Sequence, residues 1–198
     1  MGRPTSHIKR AMKVVFLDRD GVINEYPGDR NYVTCWDEFH FIPTSIEAIK
    51  LLKKHGYKIF VVSNQAGVAK GLYSKDDLDY ITDNMLKSIR SRGADLDGVY
   101  YCTHRDEDNC SCRKPKPGLI NKALGVLGEK PAVCFFIGDS FRDMKAAKAA
   151  GCKGVLVFSG KEKLENRGNW EFEPDYVFGD ILEAARYLCS KYPDIVIS

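Results

Sequence analysis

The sequence predicts an α/β fold, a single parallel sheet with helices on both faces. Two observations carry this. Short apolar runs alternate with longer amphipathic ones from residue 13 to residue 191, and strands alternating with helices build a parallel sheet covered on both sides. The polar motifs stand at the ends of the apolar runs, and such sheets bind ligands beyond the carboxyl ends of their strands.

The elements are expected in this order. Lys13–Leu17 (KVVFL) reads as a buried strand. Pro43–His55 reads as a helix, with Pro43 in its first turn and Gly56 at its end. Tyr57–Val62 is a second buried strand, and Ser74–Arg92 a long helix opened by Ser74 with Asp77 three residues on. Val99–Cys102 is a short strand, Pro117–Leu127 a helix and Val133–Ile137 (VCFFI) a strand. Ser140–Ala150 is a helix closed by Gly151, Gly154–Phe158 a strand, and Asp180–Lys191 a helix capped by Asp180. Asn24–Val33, rich in Gly, Pro, Asp and Asn, is the expected mobile loop over the site. Nothing between the elements is long enough for a large cap domain.

The 198 residues suit one domain with a substantial core. The net charge of +3 comes from residues 1–11, where Arg3, Lys9 and Arg10 face no acid. Residues 12–198 are neutral, so the charge gives no reason to expect nucleic acid. Residues 1–11 are read as a disordered leader or an appended extension, and 12–198 as the folded domain. No apolar run is long enough for a membrane span, and no apolar segment follows the first basic residues as in a secretory signal. Seven cysteines without such a signal argue against a disulfide framework and for a cytoplasmic protein. Cys134 is expected in the core, while Cys35, Cys152 and Cys189 suggest no role.

Four motifs carry chemistry. Asp18-Arg19-Asp20-Gly21-Val22 sends two carboxylates off one buried strand end; an Asp-rich turn or a calcium loop is the plainer reading. Ser63-Asn64-Gln65 offers a hydroxyl and N–H groups to phosphate oxygens, or is simply a polar turn. Arg113-Lys114-Pro115-Lys116-Pro117-Gly118 holds cations in a proline-stiffened loop, or is a basic turn. In Gly138-Asp139-Ser140-Phe141-Arg142-Asp143, Asp139 either meets a ligand or caps the next helix. A fifth cluster, Cys102, His104, Cys110 and Cys112, supplies a Cys3His set suited to a closed tetrahedral zinc site; a loop with free cysteines is the alternative.

In this order the four motifs resemble those of the haloacid dehalogenase (HAD) superfamily of phosphatases, over residues 13 to about 190. The resemblance implies a HAD-like Rossmannoid fold and a phosphoric monoester hydrolase. Asp18 would attack phosphorus and Asp20 act as general acid/base, with Ser63 and Lys114 holding the transferring phosphate. Asp18, Asp139 and the main-chain carbonyl of Asp20 would hold a catalytic Mg2+, with Asp143 in support from further out. Arg19, Tyr32, Ser63, Asn64, Gln65, Arg113, Lys114 and Ser140 form the expected substrate-binding set.

The cysteine-histidine loop before RKPKPG narrows the branch. DRDGVIN, VVSNQAGVAKG, DGVYYC and CRKPKPG resemble the heptose bisphosphate phosphatases, with the histidinol-phosphate phosphatases as near relatives. This implies a small phosphorylated metabolite as substrate, a sugar bisphosphate losing its 7-phosphate, and a monomer acting without nucleic acid or membrane. The loop between His104 and Cys110 is shortened and residues are added around Tyr26–Arg30. Both lie where substrate would be touched, so the sugar and its anomer stay open. The alternatives are a histidinol-phosphate phosphatase, a polynucleotide 3′-phosphatase, and a non-enzymatic zinc module.

Overall fold

The computed structural model describes residues 9–29, 31–193 and 196–197. Its elements are β1 (Lys9–Arg10), β2 (Lys13–Leu17), α1 (Ser45–Lys54), β3 (Tyr57–Asn64), α2 (Lys75–Ser91), β4 (Gly98–Cys102) and α3 (Gly118–Val126). They continue with β5 (Val133–Gly138), α4 (Phe141–Ala149), β6 (Lys153–Val157), β7 (Tyr176–Phe178), α5 (Ile181–Lys191) and β8 (Val196–Ile197).

Six strands form one sheet in the order β4-β3-β2-β5-β6-β7, each neighbouring pair parallel. A central strand of such a sheet is covered on both faces, and every residue of β2 is accordingly buried. Val15 and Leu17 face a core with residues of α1, α2 and α5, while Val14 and Phe16 face another with residues of α3 and α4. The strand period of two thus divides one apolar run between two cores.

The helices begin where their caps dictate. Ser74 and Asp77 close a capping box ahead of α2, as their spacing predicts. Asp180 accepts from the amides of Leu182 and Glu183 at the start of α5. Ser140 takes the N-cap position of α4, so Asp139 is not that helix's cap. The first predicted helix starts at Ser45, two residues later than expected. β3 runs on through Ser63 and Asn64, which therefore stand on the sheet and not in a turn beyond it.

Three features differ from expectation. β7 was not foreseen: it is a three-residue edge strand following a polar stretch, too short for a periodic signal. Lys9–Arg10 pair antiparallel with Val196–Ile197, and Ala11 is buried, so part of the expected leader joins the fold; residues 1–8 lie outside the described residues. Cys134 and Cys152 form a disulfide. The register that pairs Phe135 with Lys153 sets these two cysteines side by side, with Cα atoms 4.8 Å apart, and Cys134 is only half buried. Neighbouring parallel strands made this contact, which no sequence spacing reveals. No helix among the described residues is long and apolar enough to cross a membrane.

Candidate active site

The carboxyl ends of β2, β3 and β5 lie side by side, because β2 is paired with β3 on one edge and β5 on the other. Asp18 follows β2, Asp139 follows β5, and Asp143 reaches back from the first turn of α4. One carboxylate oxygen from each lies within 4.8 Å of the others. Asp18 is 9% exposed, Asp139 4% and Asp143 0%.

Each acid is held separately. The amide of Arg19 donates to Asp18 Oδ1 at 2.7 Å, and Lys114 Nζ stands 2.7 Å from Asp18 Oδ2. The amide of Lys161 donates to Asp139 Oδ2 at 2.7 Å. The backbone closes on Asp139 from two sides: a Cβ at Gly21 would lie 2.1 Å from Asp139 Oδ2, and one at Gly160 2.0 Å. Only glycine lets both segments approach so near. The Ser140 hydroxyl and amide both donate to Asp143 Oδ2, while Lys114 Nζ stands 2.7 Å from Asp143 Oδ1.

Three buried acids with one lysine between them are short of positive charge. Burial pushes the Asp18 carboxyl up to about 6, against the pull of Lys114 and helped by Asp143. Burial, with Asp143 and Asp18 close by, also raises Asp139 well above the usual carboxylate range. Burial opposes the charge on Lys114, but Asp143 and Asp18 outweigh it and hold the lysine protonated. A divalent cation would supply the missing charge, and an all-oxygen donor set suits a hard one.

Asp20 belongs to a different layer. Its Oδ1 accepts from Arg19 Nε at 3.1 Å, Arg19 Nη2 at 2.9 Å and Asn24 Nδ2 at 2.9 Å. Its Oδ2 accepts from Gln65 Nε2 at 2.9 Å and from Arg19 Nη2 at 3.1 Å. Gln65 is itself oriented by the Tyr73 hydroxyl, which donates to its Oε1 at 2.7 Å.

A cleft of about 590 Å³ opens above these groups, lined among others by Asp18, Asp20, Tyr32, Ser63, Asn64 and Arg113. Two residues expected to touch substrate are not on its wall. Arg19 is fully buried, its guanidinium bound to Asp20 and set over the rings of Phe39 and Tyr101. Gln65 is 1% exposed and spent on Asp20, Ser63 and Tyr73. Both therefore position the acid, because they are bound to it beneath the cleft wall, where burial keeps them from a ligand.

Others reach the cleft with their polar groups already engaged. The Asn64 side chain exchanges two 3.0 Å hydrogen bonds with the main chain of Lys114, latching β3 to the third motif. The Tyr32 hydroxyl accepts from Lys70, and the Ser140 hydroxyl donates to Asp143. Arg113 is paired with Asp106 at 2.6 Å and donates to the His104 carbonyl. Asn24 and Lys161 were missed. Asn24 lies within a quoted motif, but nothing in its spacing marks it; Lys161 follows a further strand and acts through its main chain, which leaves no trace in sequence.

The sulfur cluster does assemble. Cys112 Sγ lies 3.2 Å from Cys102 Sγ and 3.3 Å from Cys110 Sγ, and His104 Nδ1 is 3.3 Å from Cys112 Sγ. Around a tetrahedral zinc with bonds of about 2.3 Å, sulfurs stand about 3.8 Å apart. The ligand set therefore needs only a few tenths of an ångström of expansion to accept that ion.

Comparisons with known proteins agree with this geometry. A HAD-hydrolase-like family model matches residues 111–184. The D-glycero-beta-D-manno-heptose-1,7-bisphosphate 7-phosphatase of Pasteurella multocida is 44% identical over 161 residues, covering 78% of this chain and 86% of that one. The Escherichia coli enzyme of the same name is 39% identical over 173 residues, covering 81% and 88%. The crystal structure of a D,D-heptose 1,7-bisphosphate phosphatase from B. bronchiseptica, complexed with magnesium and phosphate, superposes with a TM-score of 0.84 at 32% identity, covering 91% and 99%. With such identities extending over more than three-quarters of its length, the chain belongs to the HAD-like hydrolase family, as a phosphatase.

Proposed function

We propose that this enzyme hydrolyses a sugar bisphosphate, D-glycero-β-D-manno-heptose 1,7-bisphosphate, at its 7-phosphate. The observation that carries the chemistry is the buried cluster of Asp18, Asp139 and Asp143 around Lys114. The names and coverage of the relatives support the substrate.

Asp18 attacks phosphorus through a carboxylate oxygen while the bond from phosphorus to the sugar oxygen breaks. The result is an aspartyl-phosphate and an alkoxide that takes a proton from Asp20. Water then attacks the acyl-phosphate, giving its proton to Asp20 and releasing phosphate and the Asp18 carboxylate. Lys114 balances charge on Asp18 throughout, and Ser63 stands at the cleft wall to donate to a phosphoryl oxygen. A magnesium ion held by Asp18, Asp139 and the main-chain carbonyl of Asp20, with Asp143 behind them, would lower the repulsion between the two anions.

The Cys102, His104, Cys110, Cys112 set is assigned to a structural zinc ion. It offers no open position once four ligands are bound. The enzyme acts as a monomer in the cytoplasm, on a small molecule and not on nucleic acid.

The decisive experiment is phosphate release from a panel of esters. It includes heptose and hexose bisphosphates, their monophosphates, histidinol phosphate and a 3′-phosphorylated oligonucleotide. The reading expects kcat/KM to be highest for the heptose bisphosphate. A higher value for histidinol phosphate would overturn it.

A further inference from the structure

Tyr73 lies between β3 and α2, directly ahead of the Ser74 cap. Its side chain is buried and packs onto Gly67, where a Cβ would lie 2.1 Å from Tyr73 Cε1. Glycine at 67 thus lets the ring come close enough for its hydroxyl to reach Gln65. That hydroxyl donates to Gln65 Oε1 at 2.7 Å. Gln65 Nε2 in turn donates to Asp20 Oδ2 at 2.9 Å and to Ser63 Oγ at 3.2 Å. The amide thereby gives its oxygen to the tyrosine and its two hydrogens to two groups that the proposed reaction uses.

This chain of hydrogen bonds has a direction. Burial holds the Tyr73 phenol well above its ordinary range, so it keeps its proton and donates. The amide oxygen is then fixed on the Tyr73 side, and the amide hydrogens on the side of Asp20 and Ser63. Ser63 Oγ accepts, and its own hydrogen has no other partner among the described residues, so it is left for the cleft that Ser63 lines. Asp20 likewise accepts, so when it carries a proton this amide offers no oxygen to take it. A reversed amide would set Oε1 against both groups and draw in the Ser63 hydrogen and the Asp20 proton. Asp20 by itself does not prevent the reversal, because once protonated it can donate to Oε1 as readily as it accepted from Nε2.

We propose that Tyr73 is a positioning residue of the reaction: through Gln65 it keeps the acid/base proton of Asp20 and the hydroxyl hydrogen of Ser63 turned toward substrate. Tyr73 acts at one remove, since it does not line the cleft itself. The proposal rests on the roles assigned above to Asp20 and Ser63, and not on which ester is the substrate.

The test is Tyr73→Phe in the magnesium-loaded enzyme, which keeps the ring against Gly67 and removes only the oxygen. Two esters are compared. One is the alkyl phosphate hydrolysed fastest in the panel above, whose leaving alkoxide needs a proton; the other is p-nitrophenyl phosphate, whose phenolate leaves without one. kcat/KM should fall about tenfold for the alkyl ester and about threefold for p-nitrophenyl phosphate, with the melting temperature lowered by only a few degrees. In a Gln65→Leu background the same change should cost nothing further, because no amide is left to orient. Equal losses on the two esters, no loss, or a loss that persists undiminished behind Gln65→Leu would each overturn the proposal and leave Tyr73 a packing residue. Asp20→Asn, measured beside these variants on the alkyl ester, separates the proposal from its premise. If Asp20→Asn keeps near-normal kcat/KM, the acid/base reading falls and takes the proposal with it. If Asp20→Asn is impaired and Tyr73→Phe is not, that reading stands and the proposal alone falls.

Discussion

The acid cluster and the sulfur cluster each bring together side chains able to hold a cation, by opposite routes. Asp18, Asp139 and Asp143 come from distant parts of the chain and meet because β2 lies between β3 and β5. Cys102, His104, Cys110 and Cys112 lie within eleven consecutive residues of one loop. Each acid has a donor of its own, from Arg19, Lys161 or Ser140, apart from any ion. Among the described residues, the polar contacts of the Cys112 thiol are with the other members of its cluster. The sheet therefore builds the first site without an ion, whereas the second, on the zinc assignment proposed above, would rely on its ion to hold its shape. Losses from the first should fall on chemistry alone; losses from the second should fall on stability and, through the adjoining Arg113 and Lys114, on chemistry as well.

The largest effect is expected at Asp18. Asp18→Asn should lose about 10³-fold or more in kcat with its melting temperature nearly preserved, because an amide cannot attack phosphorus while the strand beneath is unchanged. Steady-state rates beside a thermal melt check this. A variant with near-normal kcat would remove Asp18 as the nucleophile.

Next comes the backbone around Asp139. Gly160→Ala would put a methyl group where Asp139 Oδ2 now lies, only 2.0 Å away. Displacement of a ligand by about 1 Å can cost on the order of 100-fold in rate. We expect a loss of that order, with the magnesium concentration for half-activity raised. Normal magnesium dependence would show that Asp139 is not a ligand.

In the sulfur cluster, Cys110→Ser should lose zinc, measured by elemental analysis, and lower both the melting temperature and kcat, the latter about tenfold. A fall in melting temperature alone, with kcat and KM kept, would make the loop a remote staple and break the comparison.

The smallest effect concerns pH. The Asp18 pKa rises from 3.8 to about 6 on folding without metal. The folded chain then binds more protons than the unfolded one between these values, so its stability falls as pH rises from about 4 to 6 and stays reduced above. Asp139 shifts in the same direction. Magnesium relieves this only where the acids are ionised. Saturating magnesium should therefore raise the melting temperature by a few degrees more at pH 7.5 than at pH 5, as scanning calorimetry would read. An equal increment at both values would mean that the ion binds elsewhere.

Much of the site was legible because its motifs adjoin apolar runs that could only be strands. Asp18, Asp20, Ser63, Lys114 and Asp139 were placed at strand ends or in the loop beside them, and there they stand. The cysteine-histidine set was legible for a simpler reason: its spacing is local, and a short loop cannot separate its members far. Substrate contacts were less legible. Arg19 and Gln65 look like ligand-binding residues in a polar motif, but both turn inward to hold Asp20. Asn64 lines the cleft, and its side chain is in addition a latch on Lys114, which the motif did not announce. A residue's type tells what it can bond, and its neighbours in space decide what it does bond.

By itself, then, the sequence determined where the chain forms its five helices and five of its strands, which residues carry acid, base and thiol chemistry, and that these lie at one end of a parallel sheet. Hydrophobic period and local spacing are properties of the chain, available before it folds. Only the tertiary structure decided that Asp143 joins Asp18 and Asp139 around Lys114, that the Lys161 amide and two glycines enclose Asp139, and that Asp106 faces Arg113 and Arg142. It also decided the pairing of β1 with β8 and the edge position of β7. Each of these depends on which strands become neighbours and in what register. Long-range pairing selects that, and hydrophobic period fixes only the face a residue presents.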